Sequence, residues 1–230
     1  MKSRAYVRIS CVGAAFNRMP KSGPSADGAT GRFAAIEKIA SLLHKGPMSV
    51  RSGNKWIRFR FSAEKAKAAI MFMLERPGKH DLHELLKACY FADKKHLNDW
   101  RRPIFGATYR AMKFGPVPLE IYEMLKGESL WLAELGIDAM PWMLNGYRVQ
   151  KNGNETADTD VLSSSDIEAL KWGHNISSHM SFDFRTSVTH GPDWQAANLG
   201  TMRYEDMIEE GPEKADFVEY LTETGPHMKL

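Results

Sequence analysis

Residues 85–125, LLKACYFADKKHLNDWRRPIFGATYRAMKFGPVPLEIYEML, constrain the fold of this chain more than any other stretch. They read as one unit: an apolar helix, a basic turn, an extended segment, a stiff Gly115-Pro116-Val117-Pro118 corner and a second helix. Two prolines two residues apart each fix φ, so the corner has few conformations open to it. Pro118 suits the first position of the following helix, which reads as residues 119–126 with Gly127 as a left-handed cap. No acid–base pair, phosphate loop or metal-ligand run interrupts the unit.

Asp81 and Glu84 form a D-x-x-E capping box that opens the first of these helices, which runs to about residue 97. At 100° per residue, Leu82, Leu85, Leu86, Cys89 and Leu97 share one face, while Ala88 and Phe91 lie on the other side. A helix apolar on two sides is central rather than peripheral. Asp93 falls about 20° from Leu82, in the middle of the apolar face. A carboxylate there must be hydrogen-bonded or paired, because an isolated buried charge is costly. His96, Arg102 and Arg110 are its candidate partners. We read it as an anchor holding the helix against the Arg101-Arg102-Pro103 turn. The competing role of general base lacks a second carboxylate close in sequence.

Elsewhere the chain is a series of short elements. Residues 55–61, KWIRFRF, alternate strictly and predict a half-buried strand. Interleaved aromatic and basic residues could also stack bases, but an arginine-protected edge strand looks the same and is the simpler reading. Ser62 caps a helix through residue 76, and residues 107–113 read as a short strand. A short helix follows at 130–135. Residues 147–151 pair with 156–160 across Asn152-Gly153-Asn154 as a hairpin. A helix spans 163–178, with Ser163-x-x-Asp166 and Ser165-x-x-Glu168 competing for its first turn. Helical segments at 182–188 and 192–198 and a last helix near Pro212 complete the pattern. The expected fold is α+β: a mainly helical single domain over 55–230 with a small antiparallel sheet. Residues 1–54 read as a flexible basic extension with a short helix at 33–44.

Hydrophobic content of 43% with six Trp and eleven Phe supplies a globular interior. Two cysteines make no disulfide framework, which fits a reducing, cytoplasmic setting. No apolar run approaches a membrane span. Charge is divided: residues 1–60 hold twelve Lys and Arg against Asp27 and Glu37, and the remainder holds nineteen basic and twenty-six acidic residues. The basic start reads as a solvated tail rather than a nucleic-acid contact, and no membrane is called for.

His80, His83, Cys89 and His96 suggest zinc only superficially, since their spacing scatters three ligands around one helix. Ser187, His190 and Asp193 name the members of a hydrolytic triad without the nucleophile elbow that would support one. Three other segments do form a pattern: Leu85-Leu86 with Tyr90, Ala92 and Asp93; Gly115-Pro116-Val117 before a helix containing Tyr122; and Thr189-His190-Gly191-Pro192-Asp193-Trp194. In order and spacing they resemble the Panacea domain of SocA-like antitoxins, over roughly residues 62–221. One departure is Arg101-Arg102-Pro103, where the family often has a Gly before the turn.

The resemblance implies an antitoxin that neutralises a cognate toxin protein by direct binding, with no catalytic residues, no metal and no cofactor. It makes Tyr90, Asp93, Arg102, His190 and Trp194 the structural motif, with His190 ending a helix on a backbone carbonyl and Trp194 filling core space. The stiff corner, Lys113, Phe114, Gly115, Pro116 and Val117, is the expected partner-binding element, with Phe114 either presented as a hot spot or packed inward. The acidic C-terminal part favours a basic toxin. The alternatives are a nucleic-acid-binding regulator working through the basic start, or an adaptor delivering its bound partner to a protease, with a chaperone as a further partner.

Overall fold

The computed structural model describes residues 56–230. The basic extension expected over 1–54, its helix at 33–44 and Lys55 lie outside these residues. In chain order come α1 (Ala63–Leu74), α2 (Leu82–Trp100), β1 (Tyr109–Met112), β2 (Gly115–Pro118), α3 (Leu119–Lys126), α4 (Ser129–Leu135), β3 (Trp142–Asn145), β4 (Arg148–Lys151) and a 3₁₀ turn (Thr159–Val161). Then follow α5 (Ser164–Ser178), α6 (Phe182–Thr189), α7 (Pro192–Ala197), α8 (Tyr204–Met207) and α9 (Lys214–Thr224). The arrangement is the expected mainly helical α+β fold, with its strands in two separate antiparallel pairs, β1–β2 and β3–β4.

The long helix α2 is central, and α5 lies along it. Its Asp81 cap accepts from Glu84 N at 2.7 Å, while Glu84 reaches back to His80 N rather than to the cap residue. Leu85, Leu86, Ala88, Cys89, Ala92 and Leu97 are all buried, so the two-sided apolar pattern did mark a core helix. The crossing with α5 is close because Gly173 has no side chain. A Cβ there would stand 2.6 Å from Ala88 O and 2.9 Å from Ala92 N. Alanines do the same service in α1, where Ala63, Ala66, Ala68 and Ala69 are buried with Ile70, Met71 and Met73. At the start of α5 the Ser163–Asp166 capping box forms, with both reciprocal bonds present, and Ser165–Glu168 does not compete. Helix α2 ends on Arg101 in the left-handed conformation, φ 56°. A Gly adopts that conformation without strain, and here Arg101 takes it.

Four local expectations need correction. Gly115-Pro116-Val117-Pro118 is a strand, not a corner: Met112 pairs with Gly115 and Tyr109 with Pro118, and the turn is Lys113–Phe114. Prolines are tolerated in an edge strand whose outer side needs no N–H donor. Residues 56–61 form no strand, yet the alternation does set their burial, with Ile57 inward and Arg58 and Arg60 exposed. Ser62 stands at the cap position of α1, but its side chain makes no capping bond and the helix ends at Leu74. Strand β4 pairs upstream, Asn145 with Arg148 across Gly146–Tyr147, and not with residues 156–160. Gly146, φ 62°, supplies the turn.

Candidate functional site

One stripe of α2 organises the site. His83, Lys87, Tyr90 and Lys94 follow each other at helical spacings of four, three and four, so they share a face. That face meets the β1–β2 hairpin, α6 and α7. The carbonyls of alternate hairpin residues each take a side-chain donor. Trp194 Nε1 donates to Met112 O at 3.0 Å, His83 Nε2 to Phe114 O at 3.1 Å and Lys87 Nζ to Pro116 O at 2.6 Å. Gly115, φ 97°, lets the strand pass close, since a Cβ would press against Thr189 Oγ1 and Lys87 Cε.

The electrostatics beneath the turn are unusual. Lys87 is 1% exposed, and its acceptor is a carbonyl rather than a carboxylate. Burial, and then the nearby Arg185 guanidinium, bring its pKa down to about 7. Arg185 is also buried. It donates to Met180 O at 3.0 Å and meets Asp81 Oδ1 at 3.3 Å, and its Nε has no partner. Burial, followed by the Lys87 charge, lowers His83 to about 4, so the ring is neutral near pH 7. A single tautomer serves both its contacts, with Nε2–H donating to Phe114 O and Nδ1 accepting from Arg185 Nη1 at 3.1 Å.

Above this polar layer stand aromatic rings. Phe114 is 47% exposed and Phe182 44%, their centroids 5.2 Å apart in an edge-to-face arrangement. The His83 ring lies 4.3 Å from Phe182, and the Lys113 ammonium lies over Phe114 at 5.2 Å. Phe184 and Val188, four apart on α6, are exposed as well. Among the described residues, the only exposed phenylalanines are Phe114, Phe182 and Phe184.

The residues picked out from sequence fall into two groups. Lys113 and Phe114 present their side chains to solvent, while Gly115, Pro116 and Val117 are buried behind them. The others tie segments together. The Tyr90 hydroxyl donates to Asp193 Oδ2, which also accepts from Lys94 Nζ at 2.9 Å. Burial, and then the Asp193 charge, push the Tyr90 pKa up. His190 ends α6 and stacks on Trp194 with centroids 3.8 Å apart; burial, and then Lys87, lower its pKa. Trp194 is half-buried against the core and spends its N–H on Met112 O. Asp193 therefore serves Tyr90 and Lys94 rather than His190, and the Ser187, His190 and Asp193 set makes no relay.

The expected cationic partners of Asp93 are a correction. It accepts from Ile104 N, Phe105 N and the Tyr109 hydroxyl instead. Burial raises its pKa to about 6 against the pull of those donors. Arg102 and His96 go to a different carboxylate, Asp166, which also takes Lys65 at 2.6 Å. Burial works to raise Asp166, but the Lys65 bond, the Ser163 N–H and the two cations outweigh it and leave its pKa lowered. Arg110 pairs in β1 and bridges Thr201. The four zinc candidates are dispersed: His83 is at the turn, His96 bonds Arg102 O and Ser165, Cys89 is fully buried, and the His80 ring faces His174 at 5.9 Å.

Residues 85–195, just under half of the chain, match the family model described as antitoxin SocA-like, Panacea domain. That segment is similar to the Panacea domain. No curated protein and no solved structure matches it. Within the matched segment the three sequence anchors come together physically: Tyr90 on Asp193, Lys87 on Pro116 O, Trp194 on Met112 O. Sequence reading weighed His83 only as a zinc ligand and missed Lys87, Arg185 and Phe182. The signal for the first two was present as a polar stripe at i, i+4, i+7 and i+11 along α2. Arg185 and Phe182 carry no such signal, because α6 is one exposed short helix whose inward residues are only Arg185 and Thr189.

Proposed function

We propose that this protein is an antitoxin that neutralises a toxin by direct protein–protein binding, through the face formed by Phe114, Phe182 and Lys113. One observation carries the reading: two exposed phenylalanines from separate parts of the matched segment, Phe114 and Phe182, meet edge to face beside His83. Exposed apolar clusters rimmed by polar residues mark interaction surfaces, and aromatic anchors dominate binding energy. Gly115, Pro116 and Val117 act from behind as support. The role needs a surface and no bond-making step, so the protein is not an enzyme on this reading and takes no cofactor.

The test is coexpression with the protein encoded by the adjacent reading frame as candidate toxin. Growth should be restored, and the two proteins should co-purify. Following the toxin's lifetime separates steric masking from delivery to a protease. Restored growth with no complex and undiminished toxin would overturn direct neutralisation.

A further inference from the structure

Lys87 is a poor choice for stability. Its buried ammonium has one carbonyl acceptor and lies near a second buried cation, Arg185. Taking an ion out of water is costly, and an apolar side chain of similar length commonly does as well or better in such a place. What Lys87 does hold is the turn that carries Phe114. Strand β1 is bonded on its outer side to residues 200–202, but β2 has no further strand beside it, and Pro116 and Pro118 have no N–H to give one. On that side His83 and Lys87 of α2 take the carbonyls of residues 114 and 116, and Trp194 of α7 takes that of Met112 at the other end of the turn.

We propose that Lys87, His83 and Trp194 are positioning residues for partner recognition: they lock the Lys113–Phe114 turn so that Phe114 stands preset beside Phe182. This rests on the reading that Phe114 contacts the partner. Locking the ring before encounter removes an ordering cost from binding, so its loss appears chiefly in the dissociation rate. The signature is a split that ordinary packing residues do not show. Removing Lys87's charge leaves the fold as stable or more stable and weakens binding.

The experiment uses the full chain with Lys87→Met and Trp194→Phe. The second change keeps a ring for His190 and removes the donor. Amide hydrogen exchange over residues 112–117 should speed up roughly tenfold in each, with exchange in α5 and the melting temperature of Lys87→Met unchanged or improved. Unaltered exchange at the turn overturns the proposal without reference to any partner. The second arm measures dissociation of the adjacent-frame protein in a cycle with Phe114→Ala. Lys87→Met should speed dissociation about tenfold in the parent and have no effect once Phe114 is gone. Equal effects in both backgrounds overturn the proposal. If Phe114→Ala alone leaves binding intact, the contact face itself is wrong, and the exchange result still reports on the turn.

Discussion

Tyr90 and Asp193, 103 residues apart, share a buried hydrogen bond that joins the central helix to the first turn of α7. Asp193 has no other side-chain donor than Lys94, whose side chain is partly exposed. Because the acceptor is a carboxylate, the bond belongs to the stronger class. Tyr90→Phe, which keeps the ring, should lower stability by about 1.5 to 3 kcal/mol in urea unfolding. A loss below about 0.5 kcal/mol would mean that Lys94 alone satisfies Asp193.

Asp93 is a stronger case because three buried donors depend on it. Asp93→Ala strands Ile104 N, Phe105 N and the Tyr109 hydroxyl together. At about 1 to 3 kcal/mol for each orphaned group, the expected cost is at least 3 kcal/mol. The same residue has a pH signature of definite sign. Its folded pKa is raised from 3.8 to about 6, so its contribution is fully present below pH 4 and is lost as the pH rises through 6.

The sequence located Asp93 on an apolar face but could not name its partners, because two of them are backbone N–H groups, which every residue except proline carries. Similar limits explain the other differences. Asn152-Gly153-Asn154 looked like the hairpin turn, yet the pairing ran across Gly146–Tyr147, since a turn signal says nothing about which flanking strand has a free edge. Gly115-Pro116-Val117-Pro118 looked like a corner because proline is rare in strands, and the real turn, Lys113–Phe114, contains no turn-forming residue. Helix boundaries set by local chemistry were legible: α3 begins after Pro118 and stops on Gly127 at φ 74°, as read. The polar stripe on α2 was visible but has no meaning until the hairpin is laid against it.

Gly173 tests the helix crossing. A methyl group there meets the backbone of α2 at Ala88 O and Ala92 N, neither of which can rotate away. Gly173→Ala should therefore destabilise, by about 1 to 3 kcal/mol or more, although alanine is the better helix former. Any gain in melting temperature would show that α2 and α5 are not so close.

His174 predicts acid sensitivity. It is buried, its Nε2 has no partner, and burial followed by the His80 charge lowers its pKa to about 4. A depressed folded pKa gives stability present above the ordinary value of 6.5 and lost as the pH falls through 4. Between pH 7.5 and 4.5 the wild type should lose about 2 to 3 kcal/mol through this group alone. His174→Leu should lose correspondingly less over that interval, measured by denaturant unfolding at both pH values. Parallel losses in the two proteins would show that the imidazole is accessible to protons at no cost.

The exposed aromatic pair gives the functional prediction. Phe114 and Phe182 touch each other and solvent, Phe182 lies beside the His83 ring, and neither ring is among those packed against the hydrophobic core. Truncating either ring should therefore cost little folding stability, within about 1 kcal/mol, as for other surface substitutions. Binding is the opposite case, because a central aromatic anchor commonly carries at least ~2 kcal/mol, about thirtyfold in affinity. Phe114→Ala and Phe182→Ala should each weaken growth rescue against the adjacent-frame protein while purifying folded, with a melting temperature within a few degrees of the parent's. The double variant should lose less than the two separate losses added together, since the rings pack edge to face and share one contact. Full rescue by the double variant would move the partner surface elsewhere on the protein. A parallel fall in rescue and melting temperature would make both rings packing residues.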